Sequence, residues 1–440
     1  MATLARRLTL FDATMIVMGG IVGAGIFMNP SVVARAVSSP AAIVGAWVAG
    51  GVLALAGAFI YAELAARRPA VGGQYAYLRE AYHPLAAFLY GWTLLLVSQS
   101  GGMAAVAMTF ARYFRDLSGS AASDGAIAAL ALACLTLVNC LGVRAGSNAQ
   151  SALMALKIGA VLLLVVSGAR ALPAAPVASP EADAAGLLGR LTMFGAALVP
   201  VMFAYGGWQT AGFMSGELRH PRRDLPRGLL IGVIGVVVLY LAVNVVCVRA
   251  LGPAGLAATT APASDVMRAA WGEPGARLIA AGIALSTLGF LSQGLLTAPR
   301  VYFAMAQDGV FFAKVAALHP VTRVPVVAIV LQGALATVIA LSGRYDQVLG
   351  YVVAIDALFF GLTAAALVIL RRRDRDSGAD DVAFRAAGHP WTTVAFVAAF
   401  WWLAINTVYR FPRNAGAGVL LLAAGVPVYY AWRRFGGPRS

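Results

Sequence analysis

The stretch GGIVGAGIF, Gly19–Phe27, lies inside an apolar run from Ala13 to Arg35, and four of its nine residues are glycine. Glycine inside a helix costs about 1 kcal/mol relative to alanine. A run long enough to cross a bilayer but weakened at its middle predicts a membrane helix that unwinds there. A second stretch echoes it. FAYGGWQ, Phe203–Gln209, places adjacent glycines in the middle of a later run, Met193 to Gly216.

The whole chain supports a membrane reading. Of its 440 residues 60% are hydrophobic and only 12% charged, where soluble domains carry about 25% charged residues. Its mean hydropathy is +0.81. The formal net charge of +15 does not point to a nucleic-acid partner. The arginines fall between apolar segments and form no basic amphipathic stripe or aromatic-spaced patch. Cys134, Cys140 and Cys247 all lie in apolar segments, which leaves no disulfide framework and no metal-ligand spacing. No metal or cofactor is expected. The N-terminus, MATLARRLTLFDA, lacks the short apolar core and small-residue cleavage site of a removable signal peptide.

Twelve apolar segments predict an all-α, multi-pass membrane protein with twelve transmembrane helices. They run Ala13–Arg35, Ala41–Ala66, Pro84–Phe114, Ala126–Val143, Ser151–Gly168, Met193–Gly216, Leu229–Val248, Ala276–Pro299, Pro325–Leu341, Val348–Leu370, Trp391–Val408 and Ala415–Trp432. An even number puts both termini on one side. With the termini in the cytoplasm, 21 of the 33 basic residues fall in cytoplasmic segments, 11 fall outside and Lys157 lies within a span. The positive-inside rule therefore places both termini in the cytoplasm.

The two glycine-weakened runs are the first and the sixth, five spans apart. Five is odd, so a second unit of five spans enters the membrane from the opposite side. Interrupted helices at matching positions of two inverted halves point to a transporter site. The expected division is an N-terminal repeat over 1–169, an external loop over 170–192, a second repeat over 193–373, and two peripheral spans with a cytoplasmic tail over 374–440. Unwinding frees backbone N–H and C=O groups, which in a bilayer must line a cavity or meet a ligand. A half-helix N-terminus favours an anion and freed carbonyls favour a cation. An α-amino acid carries both charges on adjacent groups. The alternative role for such glycines is close helix packing.

At these residues the chain resembles the amino acid–polyamine–organocation superfamily, and in particular the L-type amino acid transporters and their bacterial relatives. GGIVGAGIFMNP resembles the superfamily's first-span motif and FAYGGWQ the L-type sixth-span motif. GGQYAYLREAYHPLAAFLYGW, Gly72–Trp92, resembles the loop and third span. GELRHPRRDLPRG and PRVYFAMAQDGVFF resemble the cytoplasmic loops after spans six and eight. The similarity covers about Leu10 to Arg373. It implies ten helices in a LeuT-like five-plus-five inverted repeat with broken helices one and six, and two peripheral helices. It also implies alternating access around a site between spans one, three, six, eight and ten.

The resemblance further implies that the amides of Gly23, Ala24 and Gly25 take the substrate carboxylate. By the same resemblance the carbonyls of Ile21, Phe203, Ala204 and Gly206 take the ammonium, and Phe203 serves as an aromatic lid. Ala24 stands where many relatives have serine, which keeps the amide and removes a hydroxyl. Human-type relatives join a glycoprotein subunit through a cysteine in the loop between spans three and four. The corresponding loop, RDLSGSAASDG, has none, so no disulfide-linked subunit is expected and the protein is expected as a monomer or weak homodimer. The implied location is a plasma membrane, that of the bacterial inner membrane.

Three of the charges within the apolar runs are candidate functional groups. Lys157 lies six residues after Ser151, about 9 Å into the bilayer at 1.5 Å per residue. It either snorkels to the surface or acts as a fixed or titrating cation. In sodium-independent relatives a lysine on span five occupies the place of a sodium ion, and the resemblance gives Lys157 that coupling role. Asp356 in span ten reads as a functional carboxylate or a helix-packing hydrogen bond. Glu63 precedes Arg67 by one helical turn and reads as an i,i+4 pair that could also serve an inner gate.

The reading is a sodium-independent secondary transporter that exchanges or takes up neutral L-amino acids. Proton-coupled uptake and cationic amino acid or polyamine antiport remain the alternatives. An enzyme does not fit, because His83, His220, His319 and His389 each directly precede a proline, a setting for turns and loop ends. A channel has no need of two broken helices with a cation between them.

Overall fold

The computed structural model describes residues 4–171, 186–342, 345–378, 382–410 and 412–435. A helix lies under each of the twelve apolar runs. Among the described residues, seven helical stretches are long and apolar enough to cross a membrane, and the bent pair at the start of the chain makes an eighth. Asp124–Cys140 and Val326–Leu341 are shorter apolar helices. Among the described residues the extended pairing is a single bridge, Leu8 to Leu218.

The first run is two helices. Helix α1 (Leu10–Ile21) begins at a capping box, in which Thr9 and Asp12 satisfy each other's backbone amides. Asp12 also accepts from Arg144 at 2.9 Å and from Ser147 at 2.8 Å, tying the helix start to the fifth span. The chain leaves the helix at Val22 and resumes as α2 (Gly25–Ala36), bent 42° from α1. Helix α3 (Pro40–Arg67) is the second span and α4 (Gln74–Ala81) a short helix after it. The third span comprises α5 (Pro84–Thr93), a π-helical stretch over Leu94–Gln99, and α6 (Ser100–Ser118). Helices α7 (Asp124–Cys140) and α8 (Val143–Arg170) follow.

The sixth run also breaks. Helix α9 (Leu187–Tyr205) ends at Gly206, and after Gly207 the chain continues as a 3₁₀ helix over Trp208–Glu217. A 3₁₀ run of that length is unusual and marks a hinge or a functional site. Most of the expected loop over 170–192 lies outside the described residues, and α9 starts six residues earlier than the Met193 boundary. Helix α10 (Pro221–Ala258) turns at Gly252 and α11 (Pro262–Thr297) turns at Gly272. The chain then forms α12 (Pro299–Gln307), α13 (Val326–Leu341), α14 (Tyr345–Asp376), α15 (Trp391–Arg410) and α16 (Pro412–Phe435).

The packing pairs the two breaks in antiparallel fashion. Helix α1 lies against the 3₁₀ half of the sixth run, and α2 lies against α9. They cross at glycine. A β-carbon on Gly20 would meet the Gly207 carbonyl oxygen at 2.5 Å, and one on Gly207 would meet the Gly20 oxygen at 2.0 Å. Gly207 also has φ of +105°, a conformation other residues rarely adopt. Gly19 is equally confined, since its β-carbon would lie 1.7 Å from Nε2 of Gln150. Close packing and unwinding thus divide the motif between them. Gly19 and Gly20 allow close approach, whereas Gly23 has only a Phe290 ring carbon nearby at 3.7 Å.

Gly20→Ala should therefore cost about 1–3 kcal/mol through overpacking against backbone. It should lower the thermal unfolding midpoint of the detergent-purified protein. Gly159→Ala, with nothing within 4 Å of the new carbon, should not. Equal midpoints for the two variants would contradict the crossing.

Candidate functional site

Breaking the first run strands carbonyls at the end of α1, and other spans supply donors to those of Gly19, Ile21 and Val22. Lys157, near the middle of α8 and fully buried, donates its Nζ to Val22 O at 2.5 Å and to Gly19 O at 3.4 Å. It does not snorkel. The depth expected from Ser151 understates its position, because α8 already begins at Val143. The Tyr240 hydroxyl, from α10, donates to Ile21 O at 3.0 Å. Both donors approach from behind the break. Buried carbonyls are satisfied in this way without water.

On the other side the two breaks open on a cavity of about 420 Å³. Ile21, Gly23, Ala24 and Gly25 line it from the first run, and Phe203, Ala204, Gly206 and Gly207 from the sixth. Ala24 caps α2 without a side-chain hydrogen bond, so the start of α2 leaves partial positive charge at the cavity wall. The Phe203 ring is 54% exposed although it sits at the break, because it projects into this space. Asn29 donates to Pro200 O at 2.9 Å and holds α2 to α9. Across the cavity stand Phe290 and Gln293 of α11, with Asp356, Phe359 and Phe360 of α14.

Asp356 faces this cavity and accepts a hydrogen bond from Ser98 Oγ at 2.7 Å. Ser98 and Gln99 belong to the π-helical stretch of the third span, where one extra residue per turn redirects side chains. Gln293 donates to Thr210 Oγ1 at 2.5 Å, and Thr210 donates to Gly207 O at 2.7 Å, so the sixth-run break is also braced from α11. Tyr240, Ser98, Gln99, Thr210 and Gln293 were not singled out from the sequence. The one local signal is the run VSQSGG, Val97–Gly102, polar within an apolar span.

Glu63 lies elsewhere, at the end of the bundle where α1 begins. Its carboxylate takes Arg67 and Arg371, each through Nε at 2.8 Å, and the Ala386 amide at 2.7 Å. The expected i,i+4 pair with Arg67 is present, with both side chains fully buried. Arg67 continues to Asp374 at 2.7 Å, and Arg68 reaches the other oxygen of Asp374 at 2.5 Å. Burial would raise the Asp374 pKa, but hydrogen bonds from Arg68 and Arg67 outweigh it and hold the carboxyl below its ordinary value. Arg300 and Glu217 form a buried bidentate pair at 2.9 Å on the same side. Such pairs resist separation, because breaking one leaves a buried charge without a partner. The cavity extends the other way, to Val32 and Thr109.

Residues 8–430 match the family model described as amino acid permease. The chain belongs to this amino acid permease family, within the amino acid–polyamine–organocation superfamily. Members are transporters, not enzymes. The permease is 27% identical over 438 residues to the serine/threonine exchanger SteT of Bacillus subtilis (strain 168), covering 98% of both chains. It is 28% identical over 442 residues to the large neutral amino acids transporter small subunit 2 of Rattus norvegicus, covering 97% of this chain and 80% of the relative. It is 29% identical over 384 residues to the b(0,+)-type amino acid transporter 1 of Mus musculus, covering 85% and 78%.

Replacing Lys157 by methionine keeps the packing volume and removes the donor to two carbonyls of the permease. Hydrogen bonds from a charged group contribute about 1.5–3 kcal/mol. Lys157→Met should therefore lower the thermal midpoint of the purified protein well below that of wild type. An unchanged midpoint would show that the ammonium does not hold the break.

Proposed function

We propose that this permease carries α-amino acids across a plasma membrane by alternating access and without sodium. The observation that carries the reading is the pair of broken helices that cross at Gly20 and Gly207 and open on one cavity. The amides at Gly23, Ala24 and Gly25 receive the substrate carboxylate. The carbonyls of Ile21, Phe203, Ala204 and Gly206 receive the ammonium. Phe203 closes over the bound molecule. The ammonium of Lys157 supplies the positive charge that a sodium ion would otherwise bring to the break, which supports sodium independence.

The chain organisation proposed is twelve spans in a five-plus-five inverted repeat, with α15 and α16 peripheral. Corresponding spans pair across the halves, the first with the sixth, α3 with α10, α6 with α11 and α7 with α13, which supports this arrangement. The arginine distribution supports cytoplasmic termini. The cavity then faces outward, and the Glu63–Arg67–Asp374 network closes the inner side. Exchange is favoured over proton symport, since a relative named a serine/threonine exchanger aligns over nearly the whole of both chains. A loop Gly119–Ser123 without cysteine supports transport without a disulfide-linked subunit.

Purified protein in liposomes preloaded with an unlabelled amino acid mixture should take up external labelled amino acids. Uptake should fall at least tenfold when the lumen is empty and should not change when choline replaces sodium. Sodium-dependent uptake would overturn the role given to Lys157. Uptake indifferent to internal substrate but stimulated by external acid would replace exchange by proton symport.

A further inference from the structure

The cavity walls are mostly apolar, and a neutral side chain would suit them. One group does not fit that description. Among the described residues lining the cavity, Asp356 is the only one with an ionisable acidic or basic side chain, and it forms no ion pair with a basic residue. Its hydrogen bond comes from the neutral Ser98 hydroxyl. Carboxylates placed in membrane proteins for structural reasons are paired with a cation or a dense set of donors, because the isolated charge is costly to hold out of water. The other ion pairs of this molecule follow that rule, as Glu63 and Glu217 show.

The charges around the cavity can be matched one by one. The first-turn amides of α2 offer partial positive charge and suit a carboxylate. The freed carbonyls suit an ammonium. Asp356 is a third, negative element, and closure over a neutral amino acid would leave it uncompensated. Phe203, Phe290, Phe359 and Phe400 share the same cavity, and aromatic faces attract ammonium and guanidinium groups.

Resting on the transport reading above, we propose that Asp356 is a specificity residue that receives the cationic side-chain group of the substrate, so that this permease carries amino acids with an ammonium or guanidinium on the side chain. Ser98 orients the carboxylate toward the cavity. A substrate of this class supplies the missing positive charge itself, and no other counter-ion is then needed when the cavity closes.

The test uses the full chain in liposomes preloaded with a mixture of unlabelled amino acids. Labelled lysine, arginine, leucine and serine are offered separately to wild type, Asp356→Asn and Asp356→Glu. In wild type, lysine or arginine should enter, and unlabelled lysine should compete with that uptake at least tenfold better than norleucine, which lacks only the terminal amine. In Asp356→Asn the ratio of cationic to neutral uptake should fall at least tenfold, and Asp356→Glu should recover part of it. Comparison of thermal midpoints separates this from misfolding, and the wild-type competition stands without any variant. Entry of leucine or serine but neither lysine nor arginine would overturn the proposal and leave the transport reading intact. An unchanged ratio in a folded Asp356→Asn protein would also overturn it, as would equal competition by norleucine. Uptake of no amino acid at all would overturn the transport reading itself.

Discussion

Everything at the site depends on how a broken membrane helix keeps its carbonyls satisfied. Ending α1 at Ile21 in the middle of the bundle strands acceptors in a region without water to solvate them. Lys157 on α8 and Tyr240 on α10 supply the donors, reaching Gly19, Val22 and Ile21 from behind. The break is therefore a fixed feature with two faces. One face is bonded to the neighbouring spans. The other lines the cavity with Gly23, Ala24 and Gly25.

That arrangement explains why glycine recurs in the opening motif for two different reasons. Gly19 and Gly20 let Gln150 and the sixth run come within van der Waals contact of the backbone. Gly23 and Gly25 sit at the cavity, where a side chain would occupy space rather than collide with backbone. The crossing at Gly20 and Gly207 brings the two broken runs into direct backbone contact. At the end of the bundle where α1 begins, buried ion pairs join α3 to α14 and α12 to the 3₁₀ segment. Separating them would leave buried charges without partners.

Much of this was legible in the chain because the membrane imposes simple rules. Long apolar runs, arginine asymmetry and the glycines of Gly19–Phe27 and Phe203–Gln209 marked the spans and both breaks. The buried pair of Glu63 and Arg67 followed from helical spacing alone. Other features depend on contacts between distant spans and have no local signature. Tyr240 reads as one more aromatic in an apolar helix, and only its approach to Ile21 distinguishes it. Ser98 faces the cavity because of a π-helical stretch, which shifts side chains by an amount that periodicity does not anticipate. The depth of Lys157 was underestimated because Val143–Gln150 looked too polar for a span, yet it is the first part of α8.

The central claim is that the break recognises the part common to all α-amino acids. Labelled amino acid exchange in liposomes, challenged with a transported amino acid or with the amine left when its carboxylate is removed, tests this most directly. The account predicts that the amino acid inhibits and the amine does not, with at least a tenfold difference whatever the side chain. Equal inhibition by both would contradict it, because the carboxylate proposed to meet the amides at Gly23, Ala24 and Gly25 would then add nothing to binding.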